Sequence, residues 1–200
     1  MKLGIMGGTF DPPHMAHLVI AEMARTGLQL DKIIFIPAGD PWMKSVYTVT
    51  CAKKRVEMVG RAIDSNPSFS LSLIEVDRPG PTYTVDTIEQ LAGEIGQNSE
   101  MFLLLGWDSV AELPYWKAPY RLSKMVRIVA FPRPGAVKPD PKEMEKAMPG
   151  SAERIIYMDQ PYLSISSTCI RQRVKEGKSV RYLVPEGVAL YIVEHKLYTA

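Results

Sequence analysis

Six short apolar runs, at residues 2–6, 32–37, 69–76, 101–106, 126–131 and 154–158, recur along the chain with helix-like segments between them. Each has strand length and is rich in Ile, Val, Leu and Phe, the pattern of strands buried on both faces. The segments between them carry helix start and stop signals: 14–26 is closed by Gly27, 51–65 is preceded by Thr50, and 84–95 is closed by Gly96. Alternation of this kind predicts an α/β fold, a doubly wound parallel sheet joined by right-handed crossovers, with ligands gathered at the carboxyl ends of the strands.

After the fifth run the rhythm changes. Residues 132–141 hold four prolines and a glycine, and 144–150 read as a short surface helix. The tail offers a polar turn at 164–168, a helix to about Glu176 stopped by Gly177, and a last helix from Pro185 with an apolar face at Val188, Ile192 and Val193. The expectation is one domain over 1–200 with a small helical extension at about 164–200.

The formal charge of +2, from 24 basic and 22 acidic residues, provides no field to hold a polyanion, so nucleic acid is not an expected partner. Cys51 and Cys169 stand far apart without a C-x-x-C pair, as reduced thiols do. The start, MKLGIMGG, lacks the form of a secretion signal, and no run approaches the about 20 apolar residues of a membrane span. A soluble cytoplasmic protein is expected, and nothing in the pattern specifies an oligomer.

Two of the three histidines, His14 and His17, stand one helical turn apart behind a glycine turn in GIMGGTFDPPHMAHL. If residues 3–6 form a strand, Gly7 and Gly8 sit at its carboxyl end, where backbone N–H groups approach an anion closely. Pro12 and Pro13 suit the entry to a helix whose positive end would face the same anion as both imidazoles. Either feature alone also fits an ordinary turn or a solvated histidine. No P-loop, G-x-G-x-x-G or H-E-x-x-H motif is present. Downstream, SISSTCIRQR supplies Ser166, Ser167 and Thr168 at a helix start with Arg171 one turn on, which by residue type alone is helix capping. LLLGWDS ends the fourth run with Gly106 and Asp108, residues that also favour a plain turn.

GGTFDPPHMAH with ISSTxIR resembles the T/H-x-G-H nucleotidyltransferases, and most closely the bacterial nicotinate mononucleotide adenylyltransferases; the resemblance runs from the first strand to YLVPEGVALYI. It implies a Rossmann-like nucleotidyltransferase fold and transfer of an adenylyl group from ATP to nicotinate mononucleotide, giving nicotinate adenine dinucleotide and pyrophosphate. It implies His14, His17 and Arg171 as catalytic, and Gly7, Gly8, Thr9, Phe10, Gly106, Asp108, Ser166, Ser167 and Thr168 as ATP-binding. In GPTYTVDT and LPYWK it implies Trp116 stacked on the nicotinate ring, with backbone N–H groups around Tyr83 and Thr84 on its carboxylate. Lys44 would pair with phosphate. Arg133 in FPRPG would contact the mononucleotide phosphate or simply be surface-exposed. Mg²⁺ would arrive on the ATP phosphates, with no metal cage in the protein.

Two departures are visible: Ala16 replaces the glycine between the histidines, and the loop Asp40, Pro41, Trp42, Met43, Lys44 keeps only the proline and lysine of the family's P-P-H-K. Rival readings are another phosphate acceptor, such as nicotinamide mononucleotide, or a non-catalytic module that senses nucleotide.

Overall fold

The computed structural model describes residues 1–39, 49–96 and 99–199. Its centre is a six-stranded sheet in the order β3-β2-β1-β4-β5-β6, with every neighbouring pair parallel. The strands are β1 (Lys2–Gly8), β2 (Lys32–Pro37), β3 (Phe69–Leu71), β4 (Glu100–Gly106), β5 (Val126–Phe131) and β6 (Ile155–Tyr157). β1 lies between β2 and β4, so the chain winds outward one way through β2 and β3 and then the other way from β4. That reversal opens a crevice at the carboxyl end of β1.

Side chains alternate across the sheet with period two. Met6, Ile33, Phe35, Phe102, Leu104, Val129 and Phe131 point to one face. There they meet α1 (Met15–Gly27), α2 (Ala52–Ile63), α7 (Ser167–Lys175) and α8 (Glu186–Glu194) through Ala21, Ala24, Met58, Val59, Ile170, Val188 and Ile192. Ile5, Ile36, Met101, Leu103 and Ile128 point to the other. They are covered by α3 (Thr84–Ile95), α4 (Trp107–Glu112), α5 (Pro119–Met125) and α6 (Pro141–Ala147). No helix among the described residues is long and apolar enough to cross a membrane.

The structure differs from the sequence reading at the sheet edges and in the short helices. β3 stops at Leu71, because it pairs only with Ile33–Phe35 of β2; the chain then turns, and Ile74 drops into the core on the α3 face. The helix expected at 144–150 begins earlier, at Pro141, because Asp140 caps it by accepting the Lys142 N–H. α4, α5 and the 3₁₀ turn Leu113–Tyr115 occupy a stretch to which the sequence reading assigns no helix. Val193 is 76% exposed, whereas Tyr191 is buried with Val188 and Ile192. A step of five residues from Val188 rotates the side chain about 140° around the helix, off the buried face.

Arg55, in the first turn of α2, is 1% exposed. Its guanidinium donates to the carbonyls of Thr50 (2.8 Å), Thr9 (2.8 Å), Ala38 (2.8 Å) and Gly39 (3.0 Å). One side chain therefore ties together the exits of β1 and β2 and the start of α2. Removing it leaves buried carbonyls without donors, so Arg55→Met is expected to lower stability by about 3 kcal/mol or more. The urea midpoint measures this; an unchanged midpoint contradicts the role.

Candidate active site

The exit of β1 is shaped by its first turn. Phe10 has a left-handed backbone (φ 51°), and its ring is buried edge-on to His17 with centroids 4.9 Å apart. The ring thus serves as a wall behind His17. His14 occupies the N-cap of α1, and its backbone N–H donates to Nδ1 of His17 (3.1 Å). The two imidazoles stack, with centroids 3.7 Å apart and planes 19° from parallel. With Nδ1 of His17 acting as an acceptor, the neutral ring carries its proton on Nε2 and presents an N–H donor there.

Burial, and then the charge of Arg133, lower the His14 pKa to about 4. Burial, His14 and Arg133 hold His17 well below the ordinary histidine value. Both rings are consequently neutral near pH 7. Much of the backbone expected to hold an anion at this helix start is already engaged. The N–H groups of His14, Met15 and His17 go to His17 Nδ1, the Leu183 carbonyl (2.9 Å) and the His14 carbonyl (3.0 Å). Ala16 is buried.

The start of α7 docks on this same loop. Ser166 Oγ caps the helix by accepting the Cys169 N–H (3.2 Å), and Ser167 Oγ donates to the Pro12 carbonyl (2.8 Å). Arg171 donates from Nη1 to the Asp11 carbonyl (2.8 Å) and from Nη2 to Thr168 Oγ1 (3.3 Å). Asp11 is itself 1% exposed. Its carboxylate accepts the Thr50 N–H (3.1 Å) and the hydroxyl of Tyr198 (2.6 Å). His14, His17 and Arg171 are therefore brought to one loop.

Gly106, the last residue of β4, stands opposite Phe131 of β5. A Cβ on Gly106 would collide with Asp108 Oδ1, a buried oxygen that has no hydrogen-bond partner among the described residues. Oδ2 of Asp108 pairs with Arg133 at 2.8 Å, both side chains about half-exposed. Arg133 is near enough to both histidines to depress their protonation. Among the described residues no group of three or more His, Cys, Asp or Glu could hold a metal ion.

On the α3 face of the crevice lies a cavity of about 280 Å³. Gly7, Gly8 and Thr9 form one wall, with Thr84 and Trp116 also lining it. The glycine turn therefore borders this cavity, while the loop that follows it leads to the histidine pair. Tyr83 caps α3 but does not line the cavity; its ring lies under the Lys117 ammonium at 4.3 Å, and Lys117 pairs with Asp86 at 2.8 Å. Lys44 and the rest of the variant loop from Asp40 lie outside the described residues. The sequence reading missed Arg55, the carboxylate of Asp11, Tyr198, and a cavity-wall group of Glu75, Thr82 and Thr87. Glu75 was hidden by the apolar run that ends at Val76; Asp11, Thr82 and Thr87 lie within quoted motifs; Arg55 and Tyr198 carry no local signal.

The cytidylyltransferase-like family profile matches residues 5–173. A probable nicotinate-nucleotide adenylyltransferase of Dehalococcoides mccartyi strain CBDB1 is 43% identical over 198 residues, covering 99% of this chain and 97% of the relative. One from Exiguobacterium sibiricum is 45% identical over 198 residues, covering 99% of each. Among solved structures, the Plasmodium falciparum nicotinic acid mononucleotide adenylyltransferase complexed with NaAD shares the fold with a TM-score of 0.79 at 20% identity, covering 98% of this chain and 97% of that one. Identity of this level over nearly the whole length makes the chain a member of the cytidylyltransferase-like family and, within it, of the nicotinate-nucleotide adenylyltransferases.

Proposed function

We propose that this chain transfers the adenylyl group of ATP to nicotinate mononucleotide, releasing pyrophosphate and forming nicotinate adenine dinucleotide, and that residues 1–200 work as one catalytic unit with a helical portion from about 164. The carrying observation is the docking of α7 on the β1–α1 loop, which gathers His14, His17 and Arg171 next to a cavity lined by Thr84 and Trp116. The names of the full-length relatives support the same reaction.

The attacking atom is a 5′-phosphate oxygen of the mononucleotide, already anionic, so no protein nucleophile is required. It forms a bond to the α-phosphorus of ATP as the bond to the bridging oxygen breaks and pyrophosphate leaves with that electron pair. The protein's task is to hold the two phosphates in line and stabilise the charge that develops. His17 donates from Nε2, and His14 acts beside it on the same α-phosphoryl oxygens. Arg171 contributes charge as pyrophosphate departs, with Ser166, Ser167 and Thr168 on the ATP phosphates. Gly7, Gly8, Thr9, Gly106 and Asp108 frame the nucleotide, and Phe10 acts through His17.

At the other end Trp116 stacks on the pyridine ring, and the start of α3 around Tyr83 and Thr84 takes its carboxylate. Lys44 adds a positive charge for phosphate. Arg133 is held by Asp108 in a half-exposed pair of the kind worth about 1 kcal/mol or less, so an incoming phosphate can take the partner's place. Among the described residues Asp108 Oδ1 is a buried carboxylate oxygen without a hydrogen-bond partner, and no acidic cluster stands there to form a cage, so the residues fit a Mg²⁺ brought in on the triphosphate. When bound, the ion neutralises phosphate charge.

Pyrophosphate should appear only when ATP, Mg²⁺ and nicotinate mononucleotide are present together; no release with that acceptor refutes the assignment. His17→Ala is expected to lower kcat about a hundredfold, the effect of one lost charge-stabilising donor, with the fold retained. Trp116→Ala should raise KM for the mononucleotide about tenfold while leaving KM for ATP near its original value. Equal shifts in both constants would remove Trp116 from the pyridine end.

Proton uptake by His14 provides a separate check. Its pKa falls from 6.5 to about 4 on folding. Between those values the unfolded chain binds a proton that the folded chain refuses, so stability rises with pH across the window and is level above it. Acidification from pH 6.5 to 4 should therefore remove about 3 kcal/mol through His14 alone. NMR titration of the ligand-free protein should place the His14 midpoint near 4; a midpoint at the ordinary value contradicts its burial.

A further inference from the structure

We propose that Glu75 is a positioning residue that sets the affinity of the cavity for the pyridine end of the acceptor, by fixing the start of α3. Among the described residues it is the only charged side chain on the cavity wall. Its Oε1 accepts the Thr87 hydroxyl (2.8 Å) and its Oε2 the Thr82 hydroxyl (3.2 Å). Thr82 precedes the N-cap of α3, and Thr87 sits one turn inside that helix, 2% exposed. The carboxylate therefore clasps the chain on both sides of the helix start.

Two further contacts hold Glu75 in place. Arg78 donates from Nη1 to Thr87 Oγ1 (3.0 Å) and from Nη2 to Gln90 Oε1 (2.7 Å), so the Thr87 oxygen is engaged on its second side and its proton is directed to Glu75. Behind it, the exit of β2 presses on the Glu75 main chain; a Cβ on Gly39 would collide with the Glu75 carbonyl oxygen. The result is a rigid bracket between the β2 exit, the turn after β3 and the first turn of α3.

This inference rests on the proposed function, in which the start of α3 receives the acceptor's carboxylate. An anion on the wall of a site for an anion has two possible effects, and they differ in sign. If Glu75 acted chiefly by charge, neutralising it would tighten binding of nicotinate mononucleotide. If it positions the helix start, Glu75→Gln places an NH₂ donor against one of the two hydroxyl donors, breaks a bond and weakens binding, because a misplaced donor loses its alignment.

The test compares wild type, Glu75→Gln, Thr87→Val and the double variant by steady-state kinetics, together with calorimetric titration of nicotinate mononucleotide. Glu75→Gln is expected to raise KM and the dissociation constant for the mononucleotide about tenfold, the worth of roughly one charge-assisted hydrogen bond, with KM for ATP and kcat within about twofold. Thr87→Val should act in the same direction, and the double variant should be less impaired than the product of the single effects, because both cut the same bond. Glu75→Asp, which keeps the charge on a shorter arm, should recover part of the loss.

Unchanged or tighter mononucleotide binding in Glu75→Gln overturns the proposal, as does an equal rise in both KM values. If that variant does not fold, Thr82→Val at the cavity rim carries the test, and an unmoved mononucleotide KM there is equally fatal. A wild-type enzyme inactive with this acceptor would instead remove the proposed function, which separates the two failures.

Discussion

The buried carboxylate of Asp11 is the contact on which the site's assembly depends. A carboxylate 1% exposed is costly unless its oxygens are occupied, and here each oxygen takes a donor from a different part of the chain. Thr50, at the entry to α2, supplies an N–H, and Tyr198, 187 residues away, supplies a hydroxyl. The Asp11 main-chain carbonyl meanwhile receives Arg171. Burial first, and then the charge and hydrogen bond of Asp11, push the Tyr198 phenol far above the ordinary tyrosine range, so it remains a proton donor throughout the working pH range. The position of the histidine loop is thus set jointly by the entry to α2 and by Arg171 and Tyr198, far along the chain.

The electrostatic character of the site follows from the same burial. A protonated imidazole would be the obvious partner for phosphate, yet both histidines are packed against each other and against Phe10, where a charge is poorly solvated. Arg133 deepens the effect. Full positive charge is left to the guanidinium groups, while the neutral His17 imidazole keeps its proton on Nε2 because Nδ1 accepts the His14 backbone N–H. Near-zero overall charge is compatible with this, since oriented donors at close range do not need a long-range field.

The sheet was legible because strand and helix periods are local properties of the sequence. The interior strands β1, β2, β4 and β5 follow their apolar runs closely. β3 was overextended because Ile74 continues the apolar run after the backbone has left the sheet, and hydrophobicity reports burial without saying in which element. The histidine pair and the ISST capping turn were legible for a related reason: a helical turn puts residues three apart on one face. What remained hidden were pairings between distant residues, such as Arg55 with the Thr9 and Ala38 carbonyls and Asp11 with Tyr198. An isolated arginine within an amphipathic helix reads as solvated, and only the tertiary structure reveals four carbonyls around it. The burial of the Phe10 ring in the core was equally hidden, because its place in the motif says nothing of which way the ring turns.

Topology explains why the two halves of the site can be built from separate parts. The histidines and α7 are anchored on the α1/α2 face of the sheet, whereas Thr84, Trp116 and Glu75 belong to the α3 face. The winding direction reverses at β1, so at the glycine turn at its exit both faces open onto the same crevice. Residues without side chains suit that junction: Gly7 has open space on the cavity side, and Gly8 leaves room for the Phe10 ring, 3.3 Å from where a Cβ would stand. Side chains on the α3 wall can therefore vary the shape of the cavity while the histidine loop, held from the opposite face by Asp11 and α7, keeps its geometry.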